Sequence, residues 1–135
     1  MSEKSAAATA QLSRDPSKRI MVCDDDPAIA SALQRGLGNA GFVVEVFTDS
    51  REALSNYTAG AYQLVILDEM MPNIDGIVLY KLIKEKDPAV RACFLTGYDS
   101  AVRRALPNFD PHFLLEKPVS IQDLVKFVNS AISLK

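Results

Sequence analysis

RIMVCDDDPAIASALQRGLGNAGFVVEVF, residues 19–47, is the stretch that decides the fold. Two short apolar runs, RIMVC at 19–23 and VVEVF at 43–47, flank a segment in which Ile29, Leu33, Leu37 and Ala40 recur at helical spacing. The runs read as strands and the spaced segment as a helix burying one face. Asp26 before Pro27 marks the helix start, because aspartate is a favoured cap and proline suits the first helical position. A strand, a helix and a second strand make a crossover unit, and crossovers of this length join parallel neighbours.

The same alternation continues along the chain. Further strands are predicted at QLVIL (63–67), RACFLT (91–96) and FLLEK (113–117). Helices are predicted around Ala53, Leu54 and Tyr57, then around Ile77, Tyr80 and Ile83, and over 120–133, where Ile121, Leu124, Val125, Val128 and Ile132 form the stripe. Ser120, with Asp123 three residues on, has the spacing of a capping box. In GYDSAVRRALPNFDPH (97–112), Pro107 and Pro111 confine a short fourth helix to about 99–106, because proline breaks helix interiors. The expected fold is a doubly wound α/β domain, a five-stranded parallel sheet covered on both faces by five helices.

Composition bounds the function classes. With 135 residues, 48% of them apolar, the chain suits one domain with one sheet-centred core. A net charge of -2 supplies no general field for nucleic-acid backbones, so no direct nucleic-acid binding is expected. Cys23 and Cys93 sit inside apolar runs, as core residues in a reducing compartment do. No apolar run approaches the ~18 residues of a membrane helix, and no signal-peptide core opens the chain, so a cytoplasmic location without membrane contact is expected. Residues 1–17 are small and polar without apolar period, and read as a disordered leader to a domain over 18–135.

In doubly wound sheets, ligands bind outside the carboxyl ends of the strands where strand order reverses. Those ends carry Asp24, Asp25 and Asp26 after the first strand, Asp68 and Glu69 after the third, Thr96 closing the fourth, and Lys117 with Pro118 after the fifth. Clustered carboxylates without imidazole or thiolate suit a hard, oxygen-seeking cation such as Mg²⁺ or Mn²⁺. A lysine and a hydroxyl opposite them suit a phosphoryl group. Asp26 is set apart as the helix cap.

At these positions VCDDDP, VILDEMMPNIDG, FLTG and EKP, in this order, resemble the receiver domain of two-component response regulators, the CheY-like family, from about Arg19 to the end of the chain. The resemblance implies a flavodoxin-like sheet in the order 2-1-3-4-5. It implies that Asp68 accepts a phosphoryl group from the phosphohistidine of a sensor histidine kinase or a histidine phosphotransfer protein. It also implies a metal held by Asp24, Asp25, Asp68 and the backbone carbonyl of Met70, with Lys117 pairing the phosphoryl oxygens and Thr96 donating a hydroxyl to them. The Lys117–Pro118 peptide is expected to be cis. Output would pass to a downstream protein or output domain through the fourth helix, fifth strand and fifth helix, the surface through which a homodimer can also form. Such a domain assists its own phosphotransfer and dephosphorylation without being an enzyme in its own right.

Two features depart from the family pattern. The aromatic that turns inward behind the threonine in this family is Leu114 here, with Phe113 one residue earlier. Side chains alternate faces along a strand, so Phe113 can take the position only through a bulge or a one-residue slip. Met70, two after Asp68, and Tyr98, two after Thr96, are poor at positioning water. Shielding by them would slow loss of the phosphoryl group, and faster loss from Met70→Asn is the expected sign of it.

Two other readings compete. GLGNAG at 36–41 spells a dinucleotide-binding fingerprint, but it ends a helix where that motif must open one, so the glycines read as a helix end and turn. A pseudo-receiver, using the same fold for phosphorylation-independent protein contacts, is the second. No output domain is visible after the last predicted helix, so a stand-alone receiver and the front of a longer protein are both compatible with the sequence.

Overall fold

A computed structural model describes residues 18–97 and 100–133. The leader expected over 1–17 and the tuning residue Tyr98 lie outside these described residues.

Five strands, β1 (Arg19–Cys23), β2 (Val43–Phe47), β3 (Leu64–Asp68), β4 (Ala92–Thr96) and β5 (Leu114–Glu116), form one parallel sheet in the order β2-β1-β3-β4-β5. Five helices connect and follow them: α1 (Pro27–Asn39), α2 (Ser50–Asn56), α3 (Gly76–Lys86), α4 (Val102–Ala105) and α5 (Ile121–Ser133). A single 3₁₀ turn, Pro111–Phe113, precedes β5. Strand order reverses between β1 and β3, so Cys23 pairs with Leu67 and the residues just beyond both strands share one crevice.

The period of two along each strand splits the core into two layers. Ile20, Val22, Leu64, Ile66, Cys93 and Leu95 pack with Leu33 and Leu37 of α1 and Leu124 and Val128 of α5. Met21, Cys23, Val65, Leu67, Ala92 and Phe94 pack with Ala53 of α2, Leu79 and Ile83 of α3 and Val102 of α4. Each fully buried leucine or valine contributes about 1.5–3 kcal/mol from removing its apolar surface from water. Both cysteines are free and buried in these layers.

Helix ends follow local chemistry. The Asp26 carboxylate accepts from the N–H of Ala28 at 2.9 Å and of Ile29 at 3.4 Å, with Pro27 opening α1. The other end of α1 turns through Gly41 at φ +101°, a conformation that costs a side-chain-bearing residue energy, so GLGNAG is a helix terminus as expected. Asp75 caps α3 through the N–H of Val78, and Ser120 caps α5 through the N–H of Asp123.

Several expectations need correction. Ile29 is 37% exposed, and Ala30 takes the buried place, because the α1 stripe runs 30, 33, 37. Ala40 and Tyr57 are cap residues beyond α1 and α2. β3 is shifted one residue onward, to include Asp68, and β4 and β5 are shorter than 91–96 and 113–117. Where a helix was expected over about 99–106, α4 is one turn, Val102–Ala105. Leu106 leaves helical geometry one residue before Pro107, as the residue preceding proline is driven to do.

The position of Phe113 is also resolved. β4 and β5 pair without a bulge, Phe94 with Leu114 and Thr96 with Glu116. Phe113 lies in the 3₁₀ turn and packs edge-on against Phe127 of α5, 5.2 Å between centroids. Leu114 packs in the opposite layer. Phe113 therefore does not stand in for the missing aromatic. Phe109 is set edge-on to Phe94 and Tyr80 at 5.1 and 5.4 Å. Among the described residues, no helix is long and apolar enough to cross a membrane.

Candidate functional site

The crevice at the carboxyl ends of β1 and β3 gathers acids. Asp24 continues from buried β1, and its N–H donates to the carbonyl of Phe47 at 3.0 Å, which carries it to 1% exposure. One of its oxygens accepts from the N–H of Asp26 at 2.9 Å, and the other, Oδ2, is buried without a hydrogen-bond partner among the described residues. Asp25 is exposed at the mouth. Asp68, the last residue of β3, is 4% exposed. Ligand oxygens of Asp24, Asp25 and Asp68 lie within 4.8 Å of one another.

One cation faces this cluster. The Lys117 ammonium donates to Oδ1 of Asp68 at 2.8 Å, and the N–H of Met70 donates to the same oxygen at 3.3 Å. Lys117 follows β5, its own N–H donating to the carbonyl of Thr96 at 2.8 Å, and its peptide bond to Pro118 is cis. Burial lowers the lysine's proton affinity, but the bond to Asp68 and the charges of Asp68, Asp24 and Asp25 outweigh it and hold the pKa above the ordinary lysine value. For Asp24, burial raises the pKa to about 6; Asp68 and Asp25 add to this, while the Asp26 N–H and Lys117 oppose it.

This donor set fits a hard divalent cation. Two buried carboxylates and one exposed carboxylate have one ammonium between them, and an Asp24 oxygen lacks any donor among the described residues. The thiols are a poor alternative, since burial, with the charge of Asp24 added, pushes Cys23 up to about 12, and burial pushes Cys93 higher still. The Met70 side chain is 72% exposed beside Asp68. Thr96, 4% exposed, ends β4, and its hydroxyl donates to the carbonyl of Leu115 at 3.5 Å, the outer limit of a hydrogen bond.

The sequence pattern gave no role to Gly76 and placed Glu69 only among the strand-end acids. Gly76 opens α3 so close to β3 that a Cβ there would stand 2.2 Å from the carbonyl oxygen of Asp68. Glu69, 4% exposed, points away from the acidic crevice and accepts from the N–H of Ala101 at 2.8 Å. Strand alternation is the signal that could have found Glu69, because it shares the face of Val65 and Leu67 and not that of Asp68. An apolar hollow of about 340 Å³, lined by Ile29, Ala32, Leu33, Lys117, Pro118 and Ile121, opens at Lys117 between α1 and α5.

A doubly wound parallel sheet holds its ligands at the switch point of the strand order, and here that point carries an acidic crevice. The chain belongs to the response regulator receiver domain family of two-component signalling, which it matches over residues 20–129. It is 36% identical over 119 residues to the transcriptional regulatory protein PrrA of Mycobacterium leprae, covering 86% of this chain and 50% of that protein. It is 32% identical over 118 residues to the DNA-binding transcriptional regulator NtrC of Salmonella typhimurium, covering 84% and 24%. Among solved structures, the non-phosphorylated HemR receiver domain of Leptospira biflexa superposes with a TM-score of 0.76 at 28% identity, covering 87% of this chain and 95% of that one. The chain spans about half, or less, of the length of these curated relatives.

Proposed function

We propose that this receiver domain, residues 18–135 behind a 17-residue leader, is a phosphoacceptor, with Asp68 as the acceptor. The observation that carries the reading is the Asp68 carboxylate itself, buried, bonded to Lys117 at 2.8 Å and set among Asp24 and Asp25. An Asp68 oxygen attacks the phosphorus of a phosphohistidine on a partner kinase or phosphotransfer protein. The new P–O bond forms as the P–N bond breaks, and imidazole leaves with the electron pair of that bond. Such transfer needs positioning and charge neutralisation more than covalent assistance.

Each residue has a part in it. Lys117 neutralises a phosphoryl oxygen while staying within reach of Asp68, and Thr96 donates its hydroxyl to another. Asp24, Asp25, Asp68 and the Met70 carbonyl are the proposed holders of Mg²⁺ or Mn²⁺, which, when bound, neutralises charge on the transferring group. The exposed Met70 side chain, with Tyr98, impedes water. The apolar hollow beside Lys117 is the proposed docking place for the donor protein, since it adjoins the site. The phosphorylated domain then signals, from the cytoplasm, to a downstream protein or output domain through α4, β5 and α5.

A pseudo-receiver is the second reading, favoured by Leu114 in the aromatic position and by the one-turn α4. Incubation with a small phosphodonor, with and without Mg²⁺, separates the two. Uptake of a phosphoryl group that requires Mg²⁺ is expected; no uptake from any donor favours the pseudo-receiver.

A further inference from the structure

Besides the helix cap Asp26, Glu69 is an acid at the strand ends that the proposed chemistry does not use. Its backbone is fixed twice, the N–H donating to the carbonyl of Leu95 at 3.1 Å and the carbonyl accepting from Gly76 at 3.0 Å. From that rigid base its side chain crosses to the face of α4, where Oε2 accepts from the N–H of Ala101 at 2.8 Å. Ala101 is the residue before α4 and offers no side-chain cap of its own. The second oxygen, Oε1, is buried with no hydrogen-bond partner among the described residues. A buried carboxylate with one oxygen satisfied is a contact poised to be exchanged, because turning toward water would satisfy the other.

We propose that Glu69 is the positioning residue that couples Asp68 to α4, holding Ala101 in the unphosphorylated protein and releasing it when Asp68 carries a phosphoryl group. The inference rests on the phosphoacceptor reading. Three observations support it. Leu114 supplies no aromatic that could turn behind Thr96, so the family's usual link is missing here. The Thr96 hydroxyl, at 3.5 Å from Leu115, is weakly held and free to turn toward a phosphoryl oxygen. Ala101 follows Thr96 by only five positions, so the hydroxyl that would answer the phosphoryl group and the amide that Glu69 holds are close along the chain.

Amide hydrogen exchange at Ala101 and along α4 tests this, on the full chain, with Mg²⁺ and beryllofluoride as the phosphoryl probe. In wild type the Ala101 amide should be protected, and exchange about tenfold faster or more once the probe is bound, a coupling of ordinary allosteric size. Glu69→Gln keeps an acceptor without the charge, so Ala101 should stay protected and change less than about twofold on loading. Glu69→Leu should exchange fast in both states. An Ala101 amide that ignores the probe in wild type, or that responds equally in Glu69→Gln, overturns the coupling. Failure of beryllofluoride to bind, read by fluorine NMR, overturns the phosphoacceptor reading and the coupling with it.

Discussion

Lys117, from the end of β5, places its ammonium 2.8 Å from Oδ1 of Asp68, 49 positions earlier at the end of β3. That ion pair crosses β4 and closes the acidic crevice on one side. Asp68 is nearly inaccessible while a third of the lysine side chain meets solvent, so the pair protects a buried charge more than it adds to surface electrostatics. Lys117→Ala leaves the Asp68 carboxylate, among the described residues, with the N–H of Met70 alone. It should destabilise the metal-free protein by about 1–3 kcal/mol and slow phosphoryl uptake by about a hundredfold. Urea unfolding and uptake rates measure both; unchanged uptake would remove the lysine from the proposed chemistry.

Asp24 makes stability depend on pH in a defined direction. Its pKa is about 6 in the fold against an ordinary 3.8, so the folded protein binds the extra proton between those values. Its contribution is fully present below about pH 3.8 and is lost as pH rises through about 6, an effect on the order of 2 kcal/mol. Asp24→Asn should therefore stabilise the metal-free protein at neutral pH. Mg²⁺ should stabilise wild type there and do so less below about pH 6, where protons compete for the same oxygens. Unfolding midpoints with and without Mg²⁺, from about pH 4 to about pH 7.5, read this out. A metal-free wild type that gains stability relative to Asp24→Asn as pH rises would contradict the assignment.

Gly76 limits how closely α3 approaches the phosphoacceptor strand. A Cβ would meet the Asp68 carbonyl oxygen at 2.2 Å and two further backbone atoms at 3.0 Å, none of which can rotate away. Gly76→Ala should cost about 2–3 kcal/mol and weaken Mg²⁺ binding by displacing Asp68. Gly38→Ala, where nothing lies within 4 Å, should instead gain a few tenths to about 1 kcal/mol of helix stability. Equal effects from the two substitutions would show that the close approach is relaxed at little cost.

The strands, the two layers of helices and two of the helix caps were legible because they rest on signals that act locally, whereas the strand order followed from the family resemblance. Buried parallel strands read as unbroken apolar runs, and Asp26 and Ser120 lie one residue before the helices they cap. The three adjacent aspartates divide on the same basis, with Asp26 bonded to α1 and Asp24 and Asp25 left in the crevice. Ile29 was misplaced because Ile29 and Ala30 both fit a period near 3.6, and only packing chooses between them. The length of α4 depended on what its one buried residue, Val102, packs against, which propensity does not encode. Glu69 was seen among the strand-end acids, but its reach to Ala101 spans 32 positions and follows from tertiary structure.

The central claim is that Asp68 takes up a phosphoryl group. Intact-mass measurement of wild type and Asp68→Asn, each incubated with Mg²⁺ and a small phosphodonor, tests it most directly. Wild type should gain the mass of one phosphoryl group and Asp68→Asn none; equal gain in both, or gain in neither, would contradict it.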